Sequence, residues 1–263
     1  MTEWTTLRLI EHEWVTEVEL CRPALLNRFD MVLHRELTQV FNDLAVEPDV
    51  RAIVLSSTGK VFSAGGDTEV MVEAAGSLAH RLAMIDEGRR LFHAFADLPK
   101  PLVVALHASS YGLGSSLVLT ADAIVSSPGV ELSDPHVRMG LVAGDGGCVS
   151  WPASMGMVRA KRHLLTGDAI GAEEAYRLGI VSDLVDTPDE VRPAALALAA
   201  RIAALPPMAV QMTKRALNKV LMARADEVLD VSFYLEGLSF GTEDLLEAVA
   251  AFKEKRPGDW KGR

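Results

Sequence analysis

PLVVALHASSYGLGSSLVLTADAIV, Pro101 to Val125, is the stretch on which the fold turns. Its opening run, Pro101 to His107, is almost continuously apolar, as in a strand buried on both faces. A glycine cluster, Tyr111 to Ser116, closes it, and Ala121 to Ser127 repeats the strand pattern. A strand that ends in glycines and leads through a helix to another buried strand implies parallel pairing.

The same unit recurs to either side. Upstream, Arg51 to Ser57 reads as a second buried strand and Thr16 to Leu20 as an alternating one. Between them MVLHRELTQVFNDLAV puts Leu33, Leu37, Val40, Phe41 and Leu44 on one helical face, with Asp30 placed to cap it. Thr68 to Leu98 reads as mostly helical. From Pro206 onward the strand signals stop, and Leu245, Val249 and Phe252 share a helix face. The expectation is an α/β core over residues 1–205 and a helical region over 206–263, with no linker between them.

Composition narrows the classes. With 263 residues, 49% of them hydrophobic, the chain can bury a large core without a disulfide or metal staple. Cys21 and Cys148 are far apart and fit no zinc or redox spacing, so they read as reduced thiols. The net charge of −10 argues against a nucleic-acid partner, although the tail KEKRPGDWKGR is locally basic. The acidic start, MTEWTTLRLIEHEW, lacks the apolar segment of a secretory signal, and no run approaches the roughly 20 apolar residues of a membrane span. A cytoplasmic protein with no membrane partner is expected.

Two glycine loops carry the chemistry. In VFSAGGDTEVM, Val61 to Met71, a glycine pair precedes a helix, leaving backbone N–H groups free at a helix start. Alone, this is also an ordinary strand-to-helix turn. The second loop, at Tyr111 to Ser116, is of the same kind, and two such loops can each aim one N–H at a common oxygen. Downstream, DPHVRMGLVAGDGG sets His136 and Asp145 nine residues apart. Histidine suits proton transfer at neutral pH, and a carboxylate behind it fixes its tautomer. The bland alternative has Asp145 capping the next helix. His12, His34, His80, His93 and His163 show no ligand spacing, so no metal is expected. His107 and Cys148 read as packing residues.

In this order, VFSAGGDTEVM, the Pro101 to Val125 stretch, DPHVRMGLVAGDGG and the closing AFKEKRPGDW resemble the crotonase family, also called the enoyl-CoA hydratase/isomerase family. The resemblance implies a crotonase-like spiral of ββα units with a C-terminal helical trimerisation region, assembled as a homotrimer or a hexamer of two trimers. It implies an acyl-CoA thioester substrate, with coenzyme A present as part of that substrate and no bound cofactor. Carried over by position, the thioester oxygen would sit between the N–H groups of Gly66 and Leu113. Coenzyme A would meet Arg22, Ala24 and Leu25, the loop residues Ala64, Gly65, Asp67, Gly112 and Gly114, and Lys255 and Arg256 of the tail.

One departure stands out. Hydratases of the family use two glutamates, and their positions here fall on Ser116 and His136. Hydration needs an acid and a base facing one water, which a serine cannot supply alone. His136 paired with Asp145 would then replace the glutamates. The spacing of that pair also resembles a relative that hydrolyses a carbon–carbon bond in a cyclic β-diketone. A third arrangement, Ser116 as nucleophile with His136 and Asp145, resembles the serine and histidine of Clp-type proteases. A family member that has lost its acids and only binds coenzyme A is the non-enzymatic alternative.

Overall fold

The computed structural model describes residues 4–263, so the first three residues of the acidic opening stretch lie outside it. An antiparallel pair, β1 (Leu7–His12) and β2 (Val15–Leu20), starts the main sheet. β3 (Ala52–Ser57), β4 (Leu102–Leu106), β6 (Ala123–Ser126) and β9 (Asp183–Leu184) then add in parallel, giving the order β1-β2-β3-β4-β6-β9. The buried runs at 51–57, 101–107 and 121–127 are thus neighbouring parallel strands, as expected.

Helices cover both faces. On one, α1 (Met31–Val46) buries Leu33, Leu37, Val40, Phe41 and Leu44, and the Asp30 side chain caps it by accepting from the N–H groups of Val32 and Leu33. On the other, α8 (Pro188–Ala203) lays Val191, Ala195, Ala199 and Ala203 against Val54, Val103, Ala105 and Val125. Its alanines recur every fourth residue, so the helix approaches the strands closely. The stretch at 68–98 is two helices, α2 (Thr68–Gly76) and α3 (Leu78–Ala96), broken where Ser77 accepts from the His80 N–H. Phe95 of α3 meets Phe41 of α1 edge-on, ring centroids 4.4 Å apart.

A second, three-stranded sheet joins β5 (Ser110–Tyr111), β7 (Glu131–Ser133) and β8 (Ile170–Gly171). Strands of two or three residues carry no readable periodicity, so nothing in the sequence marks them. α4 (Leu113–Val118) follows β5; α5 (Gly147–Met155) and α6 (Met157–Thr166) lie between β7 and β8; α7 (Ala172–Arg177) follows β8. The region from 206 onward is helical as expected, with α9 (Pro207–Ser239) and α10 (Glu243–Glu254). Along the shared face of α10, Leu245 and Val249 are buried, whereas Phe252 in its last turn is 67% exposed and lines a cavity. No single described helix is long and apolar enough to cross a membrane.

Candidate active site

The two glycine loops meet. Tyr111 N–H donates to Ser63 O at 3.0 Å, and Phe62 N–H to Ser109 O at 2.9 Å, so the chain around Ser63 runs alongside Ser110 as a short parallel bridge. Gly65 sits at φ +80, and a Cβ there would lie 2.7 Å from Tyr111 O, so this approach requires glycine at 65. Beyond the contact, Gly66 and Leu113, the first residue of α4, line one cavity. Among the described residues, neither N–H donates to another group of the chain.

The same cavity is lined by His136, Asp145 and Glu236. His136 opens a 3-10 turn directly after β7, and β7 is tied to the second glycine loop by Gly112 N–H donating to Ser133 O at 2.9 Å. The imidazole is pinned from both sides. Its Nδ1 makes a short hydrogen bond to Asp134 Oδ1, while Nε2 lies 3.2 Å from Asp145 Oδ2 and 3.8 Å from Glu236 Oε1. The expected His136–Asp145 pair therefore exists, but the carboxylate that fixes the ring's orientation is Asp134, and Asp145 stands on the cavity side. Asp145 does not cap α5, whose N-cap is Gly146 with no side-chain hydrogen bond. Asp145 Oδ1 is buried without a hydrogen-bond partner.

Glu236 comes from α9, far along the chain. Gly144 permits its approach, since a Cβ at 144 would meet Ser232 O and the Glu236 side chain. Ser232 Oγ donates to Gly144 O at 2.8 Å and fixes the helix against that loop.

Burial and charge set the proton positions. Burial by itself would lower the His136 pKa; the charges of Asp134 and then Asp145, with hydrogen bonds to both, outweigh it and hold the ring well above the usual histidine range. Burial first, then the Asp145 charge, pushes Glu236 well above the usual carboxylate range despite the opposing pull of His136. Both shifts favour the protonated forms, of an imidazole set between two aspartates and of a glutamic acid at its edge. Donor atoms of Asp134, His136 and Asp145 lie within 4.8 Å of one another. Both ring nitrogens are taken up by carboxylates, so the set is organised for proton transfer rather than around one ion.

The remaining candidates divide. Ala64, Gly65 and Gly112 line a second, largely apolar cavity of about 350 Å³ that shares Gly66 and His136 with the first. Gly114 packs where a Cβ would meet Ser63 and Ser110. Asp67 lines the first cavity, caps α2 and pairs with Arg28 at 2.9 Å. Ser116 is fully buried and lines neither cavity; its Oγ lies 3.4 Å from Asp134 Oδ2. Ser116 is thus a neighbour of the orienting aspartate, set back from both cavities. Arg22 forks Asp30 at 2.6 and 3.1 Å, and Arg256 forks Glu247 and also pairs with Glu254. Ala24, Leu25 and Lys255 are exposed and line neither cavity. His107 Nε2 is bonded to Gly59 O at 3.0 Å, and burial, then Asp134 and Asp145, pushes the Cys148 thiol up to about 11.

Asp134 and Glu236 were missed in sequence. Asp134 opens the quoted DPHVRMGLVAGDGG stretch, two residues before His136, where it reads as turn chemistry. Glu236 is one of several charges on a 33-residue helix, and nothing local marks the turn that faces inward.

Known proteins agree with this architecture. A profile of the family described as enoyl-CoA hydratase/isomerase matches residues 11–263. A short-chain-enoyl-CoA hydratase of Clostridium acetobutylicum is 30% identical over 243 residues, covering 92% of both chains. The crystal structure of an enoyl-CoA hydratase/isomerase from Mycobacterium paratuberculosis superposes with a TM-score of 0.89 at 35% identity, covering 94% of this chain and 98% of that one. A β-diketone hydrolase from the cyanobacterium Anabaena, bound to (S)-3-oxocyclohexyl acetic acid, superposes with a TM-score of 0.83 at 25% identity, covering 90% and 94%.

Proposed function

This chain is a member of the enoyl-CoA hydratase/isomerase family, and we propose that it is an acid–base enzyme acting on a carbonyl substrate, foremost an acyl-CoA thioester, through an enolate. One observation carries the reading: two backbone N–H groups without an internal acceptor, at Gly66 and Leu113, line the same cavity as His136, Asp145 and Glu236. The substrate oxygen accepts from those two N–H groups, which favour the charge as it develops on the enolate.

Acid and base are then divided between two carboxyl groups. Asp145 Oδ1, unpartnered in the chain, accepts a proton from a water that adds to the β-carbon. Protonated Glu236 delivers a proton to the α-carbon. His136 Nε2 stands close to both carboxyls, so the proton gained by Asp145 passes back to Glu236 through the imidazole. Asp134 keeps the ring in place. In this scheme the two glutamates of the usual hydratase are replaced by Asp145 and Glu236, with His136 between them.

The enoyl-CoA named for the relatives supports coenzyme A as part of the substrate; this reading needs no separately bound cofactor. The same reading has the chain working in the cytoplasm as a homotrimer or hexamer, without nucleic-acid or membrane partners. Exposed apolar side chains on α9, among them Leu217 and Val220, suit such packing.

A second reading is hydrolysis of a carbon–carbon bond in a β-dicarbonyl compound. It is favoured by the engagement of Arg22 and Arg256 in ion pairs, which leaves neither free for a phosphate, and by likeness to the Anabaena hydrolase. There the activated water adds to a carbonyl carbon, the carbon–carbon bond breaks, and Glu236 protonates the departing enolate.

The deciding experiment follows the conjugated thioester absorbance of crotonyl-CoA with wild type and Asp145→Ala. Turnover by wild type and a loss of about 10²-fold or more in the variant is expected. An inert wild type that opens a cyclic 1,3-diketone overturns the thioester reading in favour of the second.

A further inference from the structure

The first cavity has a cationic lining residue that this chemistry does not use. Four carboxyl-bearing residues line the cavity, and each is accounted for: Asp30 by Arg22, Asp67 by Arg28, and Asp145 and Glu236 by His136. Arg81, on α3, lines the same cavity and forms no ion pair among the described residues. Its Nη1 donates to the carbonyls of Ala74 and Ala75, at 2.8 and 3.0 Å, at the end of α2. The Nε and Nη2 hydrogens donate to nothing else in the described chain. The same cavity is lined by the apolar side chains of Met84, Ile85 and Phe240.

Arg81 also lines a surface groove with Leu82 and Leu238, so it stands where the cavity meets the outside. Two backbone carbonyls hold one edge of the guanidinium and fix its plane. The opposite edge keeps a pair of donors with the spacing that a carboxylate accepts. A half-buried cation held this way, without a counter-charge, lacks what a bound anion would supply.

We propose that Arg81 anchors a carboxylate at the far end of the substrate, so that the enzyme acts on an acyl or dicarbonyl compound that ends in an acid group. The proposal rests on the carbonyl-enolate reading for the location of the reacting end. A monocarboxylic acyl chain would leave Arg81 unpartnered and would bind less tightly than a dicarboxylic one of equal length.

The test measures equilibrium binding by calorimetry, apart from turnover. Two matched probe pairs are used: hexanedioyl-CoA against hexanoyl-CoA, which lack the double bond that would be hydrated, and 3-oxocyclohexyl acetate against its methyl ester. Expected is about tenfold or more tighter binding of the acid in at least one pair, the scale of a charge-assisted hydrogen bond. Arg81→Met should abolish that difference, and Arg81→Lys should retain part of it. Because Arg81 also holds the end of α2, thermal melts accompany both variants; if Arg81→Met does not fold, the Arg81→Lys and Arg81→Gln pair decides by the same acid-to-neutral ratio. Equal binding of acid and neutral probes by the wild type, or a preference that survives loss of the charge, overturns the proposal. Absence of turnover with intact acid preference would fault the proposed chemistry and leave the anchor standing.

Discussion

Glu236 sets its Oε1 3.8 Å from Nε2 of His136, although the two residues are far apart in the chain, one on the long helix α9 and the other on the turn after β7. Asp145 approaches the same nitrogen at 3.2 Å from a third segment. The chemistry of the cavity is therefore a property of three segments brought together around one imidazole, and each can be perturbed separately.

Asp134 orients His136 and holds its proton. Asp134→Asn keeps the shape and removes the charge, so turnover should fall by about 10²–10⁴-fold, with KM changing far less. The His136 pKa should also drop toward the ordinary range, which an NMR titration of the ring protons in wild type and variant would detect. An unchanged titration would mean that Asp134 is not the main source of the shift.

Both raised groups make stability depend on pH in the same direction. Glu236 and His136 hold protons in the folded state that the unfolded chain has already released, the first above about pH 4.5 and the second above about pH 6.5. Their contribution is complete below those values and is lost as pH rises through each folded pKa, at up to about 1.4 kcal/mol per pH unit per proton. Urea midpoints measured across neutral and alkaline pH should fall for the wild type. Glu236→Gln, which cannot ionise, should flatten the part of the slope that begins in acid.

Gly65 is where the two loops touch. Gly65→Ala places a Cβ against Tyr111 O at a positive φ, which should cost about 1–3 kcal/mol and push the loops apart. Because the neighbouring Gly66 N–H would move with the backbone, turnover should drop by more than the loss of folded protein explains. Comparing kcat at a temperature where the variant is fully folded by circular dichroism separates the two effects.

Cys148 follows the glycine-rich loop that carries Asp145 but should be inert. With its thiol pushed up to about 11 by burial and the neighbouring aspartates, only about one molecule in 10⁴ carries the thiolate at pH 7. Labelling of the native protein with a disulfide reagent should be slow at this position and become fast on denaturation. Rapid native labelling at Cys148 would show that the aspartate charges are not acting there.

Much of this was legible in sequence because it is local. Asp30 caps α1 through its own next turn, the helix faces follow from a period of 3.6, and the buried strands announce themselves as unbroken apolar runs. The glycines at 65 and 112 marked the convergent loops, and His136 and Asp145 stood out as a proton-transfer pair in a glycine-rich segment. Tertiary structure decided the rest. It assigned Asp134 rather than Asp145 to the orienting side of the ring, buried Ser116 behind that aspartate, turned Phe252 toward a cavity and brought Glu236 and Arg81 to the first cavity. Capping and amphipathic periodicity are interactions within a few residues and leave a pattern in the chain. Which turn of α9 meets which loop depends on packing across the whole molecule, and a charged residue that faces inward is written with the same letter as one that faces water.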